Sequence, residues 1–328
     1  MRFRINIILS FGFIYFACLT NKNAFSVESP NNDLAVQFYA SGDDYFYNVT
    51  FNGKKVINNS KVGLLFKNSS QFPTGQSIIN IEESFKKETW ELPWGEKKFI
   101  NNSYNEAIIS FKDNMGQKTG GITFRAYDDG IAFRYTMQKT DEDLDSLILT
   151  DELTEFSLIE DGHTWWTPAY TDNRYEELYQ RSKVTQMDTS HTPLTIRYTD
   201  GTHLSIHEAS LTNYSSMQVY SSHQTLNCDL APWENGDKVR LQLPFKSPWR
   251  TIIISEDAGG LIMSDLMLNC NEPSQIETSS WIKPSKYIGI WWGMIIGKWT
   301  WDEGYRHGAT NERSRDYIDF ASKNGIDE

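Results

Sequence analysis

Short runs of β-branched and aromatic residues, cut by turn-forming residues, recur along the chain from Val27 to about residue 270. Residues 34–39 form one such run, followed by Ser41-Gly42-Asp43-Asp44, a second run at 45–51 and then Asn52-Gly53. Asn-Gly between two such runs predicts a type I′ hairpin, because both central residues must take positive φ. Residues 54–57 continue the meander. Residues 107–112 and 121–127 read as paired strands, and Asp128-Asp129-Gly130 turns the chain into another strand at 131–135. Similar runs lie at 194–198, 203–207, 217–220, 239–243 and 249–255. Short strands at this spacing, with little helical periodicity, predict a mainly β domain built as a large antiparallel sandwich.

The pattern changes near residue 272. Residues 272–284 form a polar connector containing Pro273 and Pro284. Tyr287-Ile288-Gly289-Ile290-Trp291-Trp292 is a continuous apolar run, which predicts a strand buried on both faces. After a glycine-rich loop, residues 311–324 predict an amphipathic helix, with Thr310 or Asn311 as N-cap and Gly325 just past the end. Tyr317, Ile318, Phe320 and Ala321 supply its apolar face. Strand, loop, helix and Gly followed by Ile326 is the opening of a parallel β/α unit, and one such unit buries neither face of its sheet.

The first 26 residues have a different logic. Arg2 and Arg4 precede an apolar stretch at 5–19, and Ala24-Phe25-Ser26 offers a small-x-small cleavage site. This predicts a secretory signal peptide and a protein exported to the periplasm or outside the cell. The stretch is shorter than the ~20 residues of a membrane-spanning helix, and no later apolar run is long enough for one.

Composition narrows the functional classes. Among 328 residues, 31 Lys and Arg face 43 Asp and Glu, for a formal charge of −12. That balance argues against nucleic acid bound through a basic face. Removing the leader deletes three cations and no acid, so the mature chain is more acidic still. Aromatic residues reach 14%, with 11 Trp and 16 Tyr, which suits strands and sugar-stacking surfaces. Beyond Cys18 in the leader, Cys228 and Cys270 are too few for a disulfide scaffold and wrongly spaced for zinc. They either pair as one disulfide or remain two buried thiols.

Three places carry candidate chemistry. The segment Asp172-Asn173-Arg174-Tyr175-Glu176-Glu177-Leu178-Tyr179 comes after an aromatic stretch at 165–170. Paired acids beside rings can line a saccharide pocket or give oxygen ligands to Ca²⁺; equally, the segment can be a solvated loop on the sandwich edge. His207-Glu208 could serve as an acid/base or ligand pair. Neighbours on a strand point to opposite faces, however, so a structural role with one residue buried is also open. The loop after Trp291-Trp292 carries Lys298, Trp299, Trp301 and His307. In a β/α barrel that position faces the active site.

These residues resemble glycoside hydrolase family 97. The resemblance rests on Phe124-Arg125-Ala126-Tyr127-Asp128-Asp129-Gly130-Ile131-Ala132-Phe133-Arg134-Tyr135, on Tyr175-Glu176 with Tyr179, on Ile206-His207-Glu208-Ala209 and on Ser247-Pro248-Trp249-Arg250-Thr251. Residues 287–292, His307-Gly308-Ala309-Thr310 and Tyr317-Ile318-Asp319-Phe320-Ala321 are similar to that family's first barrel strand, loop and helix. The resemblance implies an exported α-glucosidase or α-galactosidase with an N-terminal β-super-sandwich, a (β/α)₈ barrel and a catalytically assisting Ca²⁺. It implies Glu176 as the Ca²⁺ ligand, ahead of Glu177 and Glu208. It also implies an α-linked oligosaccharide as partner, with Glu177, His207, Glu208, Trp292, Lys298 and His307 as saccharide-binding candidates. One departure is Ile295, where the family usually carries His.

The expected organisation is a signal peptide at 1–26, a β-sandwich at 27–272, and a linker with an incomplete barrel start at 273–328. A complete barrel takes ~250 residues, about five times the length of the stretch from Trp281 to Glu328. Glycoside hydrolysis requires two carboxyl groups flanking the scissile bond. The resemblance places both on later barrel strands, so no catalytic residue is expected in this chain, which reads as truncated and inactive alone. The alternative reading is a non-catalytic carbohydrate-binding or domain-docking β-sandwich.

Overall fold

A computed structural model describes residues 24–67, 71–139, 145–171 and 176–327. The chain divides into two compact units, Met1–Glu272 and Pro273–Glu328.

The first unit opens on a four-stranded antiparallel meander: β1 (Ala24–Glu28), β2 (Leu34–Ser41), β3 (Asp44–Phe51) and β4 (Lys54–Val62). The turn between β3 and β4 agrees with the sequence expectation, with Asn52 at φ 49° and Gly53 at φ 73°. β5 (Leu64–Phe66) leads into four long strands, β6 (Ser77–Glu91), β7 (Phe99–Lys112), β8 (Lys118–Tyr127) and β9 (Gly130–Met137). Then come β10 (Ser146–Glu152), β11 (Glu155–Ser157), β12 (His163–Trp166), β13 (Gln180–Lys183), β14 (Ser190–His191), β15 (Leu194–Arg197) and β16 (His203–Ala209). β17 (Met217–Ser222), β18 (Thr225–Leu230), β19 (Val239–Gln242), β20 (Phe245–Lys246) and β21 (Trp249–Ser255) complete the unit's strands.

One ten-stranded sheet runs β13-β12-β15-β16-β21-β9-β8-β7-β6, with β20 paired to β9. Three smaller sheets accompany it: β1-β2-β3-β4, β19-β10-β5 and β11-β18-β17-β14. Strand alternation sends one side chain in two into a shared apolar core. From the large sheet these include Ile109, Phe124, Phe133, Ile206 and Ile252; from the smaller sheets, Phe38, Tyr47, Leu149 and Val219. The mainly β, antiparallel sandwich expected from the sequence is therefore the observed architecture.

The opposite face of the large sheet carries a smaller cluster of Tyr104, Tyr127, Ala132, Trp249 and Ile253, met by Leu266 and Cys270. Two short helices, α1 (Ala258–Met263) and α2 (Leu266–Asn269), bring that cover. Gly130 lets it approach: a Cβ there would lie 2.8 Å from Leu266 Cδ1 and 2.9 Å from Ile253 Cα. Cys228 sits in the main core and Cys270 in the smaller cluster, both as free thiols.

β1 starts at Ala24, so Ala24, Phe25 and Ser26 are strand residues opposite Tyr39, Phe38 and Gln37. Residues 1–23 of the expected leader lie outside the described residues.

The second unit corrects one expectation. Residues 287–292 are not a strand; the chain instead coils α3 (Trp291–Ile295). A parallel strand needs neighbours to take its N–H and C=O groups. Here the groups bond locally, with Gly293 N–H donating to Ile290 O and Ile296 N–H to Trp292 O. Trp291 and Trp292 are accordingly exposed rather than buried. The second helix, α4 (Asn311–Lys323), forms as expected, with Thr310 Oγ1 accepting from Arg313 N–H and Gly325 at φ 63°. Ile326 N–H donates back to Ala321 O, closing the helix end.

Candidate functional site

Chemistry in the first unit gathers on the two faces of the large sheet around β16, β21, β9 and β8. On the outer face, pairing sets up one continuous row: His207 opposite Thr251, Thr251 opposite Ala132, Ala132 opposite Arg125, and Arg125 opposite Glu106. His207 Nδ1 shares a 2.9 Å hydrogen bond with Thr192 Oγ1. Burial pushes the His207 imidazole below its ordinary value, and the nearby Glu208 offsets this only in part. Further along, Arg125 Nε donates to Glu106 Oε2 at 2.7 Å, and its guanidinium lies 4.3 Å from the Tyr104 ring and 4.4 Å from Trp249. Arg134 lies 4.2 Å from the same indole. Each cation is attracted to the face of the buried ring, while burial and the neighbouring Arg125 charge push the Arg134 guanidinium below its ordinary value.

On the core face, Arg250 is fully buried. Its Nε and Nη2 donate to Glu152 Oε1 and Oε2, each at 2.7 Å, and its Nη1 donates to Glu208 Oε2 at 2.6 Å. Glu152 also accepts from Thr154 Oγ1 at 2.8 Å and from the Tyr214 hydroxyl at 2.9 Å. The remaining Glu208 oxygen accepts Met217 N–H at 2.9 Å. Burial alone would raise the Glu152 carboxyl, but the Arg250 charge and the hydrogen bonds outweigh it and hold it below its ordinary value. Strand alternation therefore separates the His207-Glu208 pair. Glu208 is buried with both oxygens occupied, whereas His207 is half-buried on the other face. Sequence patterns alone do not single out Glu152 or Arg250 as interacting residues. The visible signal is an arginine inside the apolar run of β21.

Glu176 and Glu177 lie on the connection between β12 and β13, Glu176 exposed and Glu177 half-buried. Residues 172–175, the rest of that candidate segment, lie outside the described residues. Ca²⁺ takes six to eight oxygen ligands. Among the described residues no three His, Cys, Asp or Glu side chains are grouped to hold a metal. Glu176 presents one exposed carboxylate.

In the second unit the loop after α3 wraps around Trp299. A Cβ on Gly293 would meet Trp299 Cδ1 at 2.6 Å, one on Gly308 would meet Trp299 Cβ at 2.6 Å, and the Arg313 guanidinium lies 3.2 Å from the ring centroid. His307 Nδ1 lies 3.1 Å from the Trp301 carbonyl and 3.2 Å from that of Asp302, and its Nε2 lies 3.2 Å from the Ala309 carbonyl. The imidazole is thus engaged with its own loop. Trp292 and Lys298 are exposed, Lys298 Nζ lying 5.4 Å from the Trp299 ring.

One ten-stranded sheet with three smaller sheets defines the first unit as a mainly antiparallel β-sandwich domain, and the second unit is a separate, helix-containing one. Residues 27–273 match the family model "Glycosyl-hydrolase 97 N-terminal" and residues 291–328 match "Glycoside hydrolase 97". The chain belongs to glycoside hydrolase family 97. Among solved structures it is similar to a family 97 enzyme from Pseudoalteromonas sp. strain K8 in complex with acarbose, at 38% identity and a TM-score of 0.85, covering 92% of this chain and 46% of that one. A curated relative, a retaining alpha-galactosidase of Bacteroides thetaiotaomicron, is 25% identical over 94% of this chain and 50% of its own length. A probable retaining alpha-galactosidase of Streptomyces bingchenggensis is 22% identical over 84% of this chain and 41% of its own. A β-arabinopyranosidase shares the fold at 19% identity, with a TM-score of 0.78. The chain spans about half the length of the curated relatives it matches.

Proposed function

We propose that this chain is the N-terminal part of an exported α-glycosidase that hydrolyses α-glucosidic or α-galactosidic bonds in oligosaccharides. The supporting observation is the family match across the whole sandwich, joined to the 38% identity with an enzyme whose complex holds acarbose. The N-terminal basic and apolar pattern supports export.

In this reading the two carboxyl groups of the reaction come from barrel residues that lie beyond the matched half in the longer relatives. Glu176 contributes one carboxylate to a Ca²⁺ site whose other oxygens come from that same part. In the first unit Glu177 is a saccharide-binding candidate, and in the second unit, considered by itself, Trp292 and Lys298 are exposed candidates.

The test uses 4-nitrophenyl α-glucoside and α-galactoside, with Ca²⁺ or with EDTA. The 328-residue chain turns over neither substrate. Joined in frame to the remaining residues of the Pseudoalteromonas enzyme, it gains turnover that EDTA abolishes and that Glu176→Gln lowers by at least about a hundredfold. Turnover by the 328-residue chain alone would overturn the placement of the carboxyl groups. A folded fusion inactive on both substrates would overturn the glycosidase reading.

A further inference from the structure

A cleft of about 780 Å³ opens in the first unit, between the segment after β16 and the β18–β19 connection, and none of the candidate residues above lines it. Its floor is apolar, with Val239 and Leu241 buried beneath it. Trp233 stands at its edge, 57% exposed. The loop that carries this indole is tightly held: Trp233 N–H donates to Asp237 O and Gly236 N–H to Trp233 O, both at 2.8 Å. Asp237 is anchored in turn by Lys67 Nζ at 2.8 Å and by Asn235 Nδ2 at 2.9 Å. The Arg240 guanidinium lies 5.1 Å from the Trp233 ring centroid. Tyr214, also in the lining, donates its hydroxyl to the buried Glu152 at 2.9 Å. Exposed Asn213 and Gln242 bring amide donors and acceptors to the cleft; of the three cations in its described lining, Lys238 is neutralised by Asp229 at 2.9 Å, Arg240 lies against Trp233, and Lys246 is exposed.

We propose that this cleft is a second saccharide-binding site, taking a neutral oligosaccharide and separate from the site of hydrolysis. A pyranose ring presents an apolar C–H face and a rim of hydroxyls. The first stacks on an exposed indole, and the second needs neutral groups that both donate and accept. Trp233 supplies the face, and Asn213 and Gln242 supply the paired polar groups. Because the loop and Tyr214 are held before any ligand arrives, little ordering opposes binding. The site would keep a polymeric or oligomeric substrate close to the enzyme. That role rests on the glycosidase reading, whereas binding itself does not.

The experiment titrates the 328-residue chain with maltohexaose and, separately, with stachyose, followed by calorimetry and by the indole N–H signals in NMR spectra. At least one sugar binds and shifts the Trp233 indole signal. Trp233→Ala weakens that binding by at least about tenfold and Gln242→Ala by a smaller factor, with far-UV circular dichroism unchanged. Trp292→Ala leaves it intact. Binding unaffected by Trp233→Ala, or lost only with Trp292→Ala, would overturn the cleft assignment. Binding of neither sugar at concentrations up to about 10 mM, where a site of even a few kcal/mol is occupied, would overturn it too. None of these results bears on turnover of the aryl glycosides by the fusion, which tests the glycosidase reading alone.

Discussion

Arg250 and Glu152, 98 positions apart in sequence, meet in a bidentate pair with both contacts at 2.7 Å and neither side chain exposed. The pair ties the large sheet to the sheet containing β10. Through Glu208 and Met217 N–H it also reaches the sheet containing β17. Removing the guanidinium leaves two carboxylates in the core, so Arg250→Leu should cost about 3–5 kcal/mol in urea unfolding at pH 7. Glu208→Gln keeps the bidentate pair and should cost less, about 1–3 kcal/mol.

The sign of the pH effect distinguishes this pair from simple packing. The Glu152 carboxyl is depressed in the folded state. Its contribution is therefore present above its unfolded value of 4.5 and is lost as pH falls through the folded value. In Arg250→Leu the carboxyl has lost the charge that depressed it. That variant should regain stability relative to wild type between pH 7 and 4.5, as seen in the two urea midpoints.

His207 should titrate below 6.5, because burial disfavours its cation. With the folded value depressed, its contribution is whole above 6.5 and is lost as pH falls through the folded value. His191 is shifted the same way by burial. His207→Gln should therefore flatten, without abolishing, the loss of stability just below pH 6.5. NMR titration of the imidazole signals measures the value directly.

Both described cysteines should be silent towards a thiol reagent in the native protein. Burial pushes the Cys270 thiol up to about 12 and the Cys228 thiol upward as well. Cys228 and Cys270 should react with 5,5′-dithiobis(2-nitrobenzoate) only after urea unfolding, and reducing agent should leave the unfolding midpoint unchanged.

Pairing of Ala24–Ser26 with β2 bears on the mature N-terminus. A chain beginning at Val27 loses three of the five residues of β1 and the partly buried Phe25. It should be about 1–2 kcal/mol less stable than one beginning at Asn23. Mass spectrometry of the protein purified from its host would show which start is used.

Local chemistry explains what the sequence revealed. Asn52-Gly53, the alternation in β16 and the caps of α4 are each decided by a few adjacent residues, and each formed as read. β6 escaped notice because its residues are mostly exposed and polar, Glu82-Glu83-Ser84-Phe85-Lys86-Lys87-Glu88 among them. Its strand character comes from pairing with β7 along its whole length. The run at 287–292 misled for the converse reason: apolar content suits a strand only where partner strands satisfy its backbone. The core ion pair was illegible because its partners are far apart in sequence. The acidic candidate segment was only partly placed, since residues 172–175 lie outside the described residues.

β21 lies between β9 and β16, although it is the last strand of the first unit to be made. During synthesis, then, the two runs of the ten-stranded sheet, β6-β7-β8-β9 and β13-β12-β15-β16, cannot be joined until residues 249–255 have been made. Until then the edges of β9 and β16 that β21 joins lack that partner, and Glu152 and Glu208 have no guanidinium to enclose. The same strand closes both gaps and delivers Arg250. A nascent chain paused before it would be the species most in need of a chaperone.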